Sequence, residues 1–149
     1  GTWYKVINKK GKFVESVKAN VLKEKIFEKM LVKNIFCHSS VMFRKKILKR
    51  IGKYPNNIIY SQDHAFILKS MKLEIPRMIP MYLTQSRRWN KSMTFNPIYK
   101  KTIIIEKIKL MLYSAKNFKF TIKSSILWPI VFVKALVDFI LIKLFLPIK

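Results

Sequence analysis

Residues 34–63 read NIFCHSSVMFRKKILKRIGKYPNNIIYSQD. Within this stretch His38–Arg44 has the β-branched and aromatic content, and the length, of a strand. Lys45–Ile51 then has the spacing of a short helix, with Gly52 placed to stop it, since glycine is the preferred residue just past a helix C-terminus. Lys53–Ser61 carries Pro55-Asn56-Asn57 and reads as a loop. From Gln62 to Leu73 the apolar residues Phe66, Ile67, Leu68 and Met71 return at helical spacing.

Outward from that stretch, Thr2–Val14 alternates and turns at Asn8-Lys9-Lys10-Gly11, the pattern of a β-hairpin. Ala19–Val32 is an amphipathic helix, with Val21, Leu22, Ile26, Phe27, Met30 and Leu31 on its apolar stripe. Pro76 and Pro80 bracket an extended segment at Met78–Tyr82, and the polar run Thr84–Asn96 is too irregular for a core element. Ile98–Tyr113 predicts a helix with a wide apolar face. Together these elements predict an α/β fold.

The tail, Ile126–Ile148, is apolar except for Lys134, Asp138 and Lys143. Its length suffices for a bilayer span, yet three ionisable groups at mid-bilayer cost about 2.5–3.5 kcal/mol each before pairing. Lys134 and Asp138 are four apart and can pair on one helical face. These features favour an interfacial or shallowly re-entrant helix beside an anionic surface; the alternative is a C-terminal helix buried in a larger core. The expected division is 1–124 for the α/β part and its trailing helix, and 125–149 for the apolar helix.

Composition removes several function classes. The 149 residues hold 31 Lys+Arg against 7 Asp+Glu, a net charge of +24, with 50% hydrophobic residues. That apolar content is ample for a core. Cys37 is alone, so no disulfide scaffold exists, and one Cys with two His (His38 and His64) cannot build an N/S metal cage. Only 3 glycines are present, and no glycine-rich phosphate loop occurs. Of the basic residues 26 are Lys, whereas phosphate-clamping and base-reading surfaces favour the planar fork of Arg. The charge therefore suits an anionic membrane surface better than a nucleic acid. The opening Gly1-Thr2, without Met, is that expected of a piece of a longer protein.

Among the few acidic residues Asp63 stands out, at the start of a helix after the Pro/Asn loop. A carboxylate there accepts backbone N–H bonds at the positive end of the helix dipole, so the local pattern alone reads as a cap.

The strings Asn34–Lys45, Ile51-Gly52-Lys53-Tyr54 and Gln62-Asp63 resemble, in order, the C-terminal half of family 2 glycosyltransferases. In that family an H-S-S-V-M-F-R segment precedes a helix, a G-x-Y loop and an acidic pair. Arg87-Arg88-Trp89-Asn90-Lys91-Ser92 is similar to its later R-x-H-x-x-S segment. The resemblance runs from Trp3 to Thr94. It implies a partial Rossmann-like GT-A fold, with Asp63 as the catalytic base that deprotonates an acceptor hydroxyl. It further implies that Gln62, His38 and Arg87 bind substrate, Gln62 orienting Asp63 or the acceptor and Arg87 lying near the diphosphate.

The implied reaction is transfer from a nucleotide sugar to a saccharide or lipid-linked acceptor, inverting the anomeric centre, in cell-surface polysaccharide synthesis. The implied setting is the cytoplasmic face of a bacterial inner membrane. The family's divalent metal, Mg or Mn, is held by an Asp-x-Asp motif that this chain lacks, so a donor-binding half is an expected partner. Ala65, Ile67 and Trp89 also stand where the family's pattern has an acidic residue, an aromatic and a histidine. The alternative function is that of a non-catalytic, basic membrane-surface protein.

Overall fold

In the computed structural model, residues 1–89, 92 and 96–145 are described. Asn90, Lys91, Met93, Thr94, Phe95 and 146–149 lie outside the described residues, and with them part of the Arg87–Ser92 segment and the end of the apolar tail. The described chain is mixed α/β, with a small three-stranded sheet and five α-helices, the last of them apolar.

The hairpin forms as its sequence predicts. Strand β1 (Thr2–Ile7) pairs antiparallel with β2 (Phe13–Val17). Asn8 organises the turn, its Oδ1 accepting from the Lys10 and Lys12 amides at 2.9 and 3.0 Å. Gly11 closes it at φ +82, a left-handed conformation that costs glycine nothing. Strand β3 (Ile79–Arg87) lies parallel to β1 on its other side, giving the order β2-β1-β3.

Two sequence expectations are corrected around the sheet. The segment His38–Arg44 is not a strand. His38–Ser40 forms one 3-10 turn and Val41–Arg44 runs on unpaired. Ser40 is instead fastened as a turn, its Oγ donating to the Cys37 carbonyl at 2.8 Å and accepting from the Thr2 amide at 3.1 Å. Conversely, β3 continues to Arg87, through residues that read as irregular. Its alternation is inverted, with Met81 and Leu83 exposed while Thr84 and Ser86 are half-buried; the hydroxyls of Thr84 and Thr2 meet at 3.3 Å.

The helices follow their patterns with shifted ends. Helix α1 spans Lys23–Met30. It starts later than its apolar stripe suggests, because the Ala19 carbonyl is held by Trp3 Nε1 at 2.9 Å and Asn20 Oδ1 accepts from the Leu22 amide at 3.0 Å. Helix α2 (Lys45–Ile51) ends at Gly52, φ +80. Helix α3 spans Gln62–Ser70, and α4 spans Lys100–Asn117. Ile26 and Met30 of α1, Ile67 and Leu68 of α3, Leu110 of α4 and Phe36 share one buried core cluster, so the helices are fixed chiefly by apolar burial.

Helix α5 (Ile122–Phe145) packs along α4. Trp128 Nε1 donates to the Met111 carbonyl at 3.1 Å, and Ala135 and Ile142 are buried. Lys134 and Asp138 pair at 3.8 Å, as their spacing predicts. Ile122, Ile126, Ile130, Val133, Val137, Ile140 and Leu144 remain exposed. Residues Ile122–Leu144 thus form one helix long and apolar enough to cross a membrane.

Candidate functional site

Asp63 sits in the first turn of α3, after Ser61, the helix N-cap residue. It is half-buried, and both of its oxygens are engaged. Oδ1 accepts from the amide of His64 at 2.8 Å, and Oδ2 accepts from Asn34 Nδ2 at 2.8 Å. The Asn34 amide is itself oriented, because its Oδ1 accepts from the Phe36 amide at 2.9 Å. The carboxylate is therefore held from two directions, by its own helix and by the 34–36 turn. Each oxygen has a second lone pair for a further donor such as an acceptor hydroxyl.

Beside it stands Tyr54. Burial pushes its phenol up from the ordinary value, and the nearby Asp63 charge adds to the shift. The ring stacks on Phe66 of α3 with centroids 4.5 Å apart, and Phe43 lies 5.0 Å from Phe66. His38 Nε2 and the Tyr54 hydroxyl share a hydrogen bond of 3.1 Å. Asn34, His38, Phe43, Tyr54 and Asp63 thus converge from three separate parts of the 34–63 stretch.

His64 faces elsewhere. It is buried, and its Nε2 donates to the Met30 carbonyl at 2.7 Å, tying α3 to the end of α1. Burial is the main cause that lowers its pKa, outweighing the carbonyl bond and the Asp63 charge, which raise it, so the ring is neutral.

The remaining predicted residues are placed differently. Gln62 is exposed on the first turn of α3. Arg87, at the end of β3, does not join the Asp63 cluster: its Nη1 donates to the Asn8 and Lys9 carbonyls, both at 3.1 Å. Arg88 beside it pairs with Glu15 of β2 at 2.6 Å.

Sequence reasoning missed Glu106. This α4 carboxylate is only 3% exposed and accepts three backbone amides, from Ile59, Tyr60 and Ser61, at 2.7, 3.0 and 2.8 Å. It immobilises the loop that delivers the chain into α3, and so the approach to Gln62-Asp63. The available signal was a lone acidic residue among the apolar positions of that helix.

Among the described residues no three His, Cys, Asp or Glu side chains cluster to hold a divalent metal. Comparison with protein-family models, with curated proteins and with solved structures finds no match for this chain.

Proposed function

We propose that this chain is the acceptor-side half of a family 2, GT-A glycosyltransferase that works at a membrane surface. The observation that carries the reading is that Asn34 grips the Asp63 carboxylate while Tyr54, near enough to feel that charge, bonds His38, all four being residues of the family-like strings.

In this reading Asp63 is the base. Asn34 and the His64 amide fix the carboxylate in place, and an acceptor hydroxyl hydrogen-bonded to it loses its proton to Asp63 as the oxygen attacks the anomeric carbon, whose bond to the nucleoside diphosphate breaks so that the diphosphate leaves on the opposite face. Tyr54, protonated and neutral, and His38 offer hydrogen bonds at the rim, while the Tyr54 and Phe43 rings present apolar faces to a sugar ring. Gln62 is exposed where it can meet the acceptor. Arg87 belongs to the donor side, clear of Asp63. The donor nucleotide and its metal are handled by a donor-binding half. Helix α5 brings the site to the cytoplasmic face of the membrane, where lipid-linked acceptors reside.

Nuclear magnetic resonance of the Asn34 side-chain amide tests this reading. Titrating saccharide acceptors of bacterial surface polymers should shift the Asn34 Nδ2 protons, and nucleotide sugars alone should not. A response to nucleotide sugars with none to any saccharide would overturn the acceptor-side assignment.

A further inference from the structure

Helices α4 and α5 are joined by residues 118–121 and pack against each other, so they run antiparallel. Trp128 Nε1 of α5 donates to the Met111 carbonyl of α4 at 3.1 Å, which sets their register. Lys107 lies one turn before Met111 on the same stripe of α4, and therefore faces α5 over the turns that follow Trp128. There Ala135 is buried, and Lys134 beside it pairs with Asp138 at 3.8 Å. Helix α1 reaches the same hairpin: it touches α5, and Thr121 Oγ1 donates to Glu28 Oε1 at 2.9 Å. Lys33, whose amide bonds the Lys29 carbonyl at 2.9 Å at the end of α1, brings a third ammonium.

These groups are close enough to act on one another. Burial lowers the pKa of Lys107, the Asp138 carboxylate opposes the shift, and the charges of Lys134 and Lys33 add to it. Asp138 is already paired with Lys134. Two other acids of these helices, Glu28 and Glu106, are engaged by Thr121 and by three backbone amides. A half-buried lysine among like charges lacks the compensation that an incoming anion supplies. The cluster also adjoins Asp63. The charge of Lys107 is felt by His64, the residue after Asp63, and Lys33 precedes Asn34, which grips the carboxylate. On the α5 side, Ile130, Val137 and Leu141 are exposed and share the flank of Lys134, at i−4, i+3 and i+7.

We propose that Lys33, Lys107 and Lys134 bind the phosphate of a lipid-linked acceptor, whose carbon chain runs along Ile130, Val137 and Leu141 and whose sugar reaches Asp63. A phosphate carries the charge that the three lysines leave uncompensated, and it is the group that joins the apolar and the sugar ends of such a lipid. The lipid is favoured over a dissolved phosphate by placement: a dissolved ion would meet the lysines and gain nothing from the exposed apolar flank of α5. The cations thus lie between the proposed base and the helix that meets the bilayer. This inference deepens the acceptor-side and membrane reading above and rests on it.

Lysine acetylation, read residue by residue in a mass spectrometer, tests the site on the full chain in phosphatidylcholine nanodiscs, with the Asn34 Nδ2 resonances as a second readout. Four probes are compared: hexadecyl phosphate, the same phosphate esterified to glucose, hexadecyl glucoside, and dissolved inorganic phosphate. At about four times its dissociation constant, either phosphate lipid should slow acetylation of Lys33, Lys107 and Lys134 about fivefold, leaving Lys10 and Lys12 unchanged. The glucose-bearing phosphate lipid should also shift the Asn34 protons, and hexadecyl phosphate should not. K33Q/K107Q should weaken hexadecyl phosphate binding about thirtyfold, whereas K10Q/K12Q, with the same charge loss, should not. Equal protection by inorganic phosphate would overturn the lipid assignment. Protection of the three lysines with no Asn34 response to the glucose-bearing lipid would overturn the acceptor assignment. An Asn34 response to hexadecyl glucoside with lysine protection even or absent would overturn the phosphate site and leave the acceptor-side reading standing. Failure to co-elute with the discs would instead overturn the membrane reading.

Discussion

Replacing Glu106 by alanine removes the one carboxylate that gathers three backbone amides ahead of α3. Hydrogen bonds to a charged partner contribute about 1.5–3 kcal/mol each. The freed amides are partly rehydrated, since Ile59 is 56% exposed, so the full sum does not apply. We expect Glu106→Ala to cost about 3–4 kcal/mol. Glu106→Gln keeps the shape and one acceptor oxygen. With that oxygen at the Oε2 position, it still serves Tyr60 and Ser61 but turns an NH₂ toward the Ile59 amide, and should cost about 2 kcal/mol. Urea unfolding in a mild zwitterionic detergent measures both. At a slope of about 1–3 kcal/mol per molar, the alanine midpoint should fall by roughly 2 M. Native-state hydrogen exchange should accelerate at amides 59–61 in both variants, more in alanine. An alanine variant within about 0.5 kcal/mol of the parent, the size of an ordinary surface substitution, with unchanged exchange at 59–61, would refute this account of the loop.

Two further expectations follow from the same geometry. His64 is neutral in the fold with its pKa below the ordinary histidine value, so the unfolded chain binds the extra proton first. Its contribution is intact above about pH 6.5 and is lost as pH falls, with a slope of up to about 1.4 kcal/mol per unit. Unfolding measured between pH 7 and 5 should show that slope, His64→Gln should lack it, and equal slopes in the two proteins would be the contrary result. The exposed apolar face of α5 predicts sedimentation with anionic liposomes that high salt weakens without abolishing, and that deletion of 122–149 eliminates; complete release by salt alone would mean that α5 does not insert.

The sequence was most legible where one local device decides the structure. Asn8 and Gly11 specify the hairpin, Gly52 ends α2, and the spacing of Lys134 and Asp138 predicts their ion pair. It was misleading where long-range partners decide. The His38–Arg44 segment has the composition of a strand, but Ser40 fastens it as a turn, through the Cys37 carbonyl and the amide of Thr2, remote in sequence. The continuation of β3 was hidden because its half-buried side is polar, Thr84 and Ser86, and its outer side apolar.

The same division runs through the candidate site. Asp63 and its position on α3 were readable, and the family-like strings pointed to His38 and Gln62; Asn34 and Tyr54 stood in those strings with no role assigned, and Arg87 lies apart on the Asn8 and Lys9 carbonyls. That Asn34 grips the carboxylate, and that Glu106 secures the loop before it, depends on chain segments 29 and 47 or fewer residues apart being brought together, which no periodicity encodes.

The central claim is that Asp63 removes a proton from an acceptor hydroxyl, and the most direct measurement is the rate of sugar transfer by Asp63→Asn. The chain, supplied with a donor-binding half of the same family and a divalent metal, is given labelled UDP- or GDP-sugars and membrane-extracted acceptor. Asparagine preserves the size and keeps one oxygen to accept from the His64 amide, while its NH₂ replaces the oxygen that accepted from Asn34; it cannot take a proton. The account predicts transfer by the parent and a loss of at least about a hundredfold in the variant, the lower end of what general-base catalysis contributes, with an unchanged circular dichroism spectrum. Transfer by Asp63→Asn at the parental rate would contradict it.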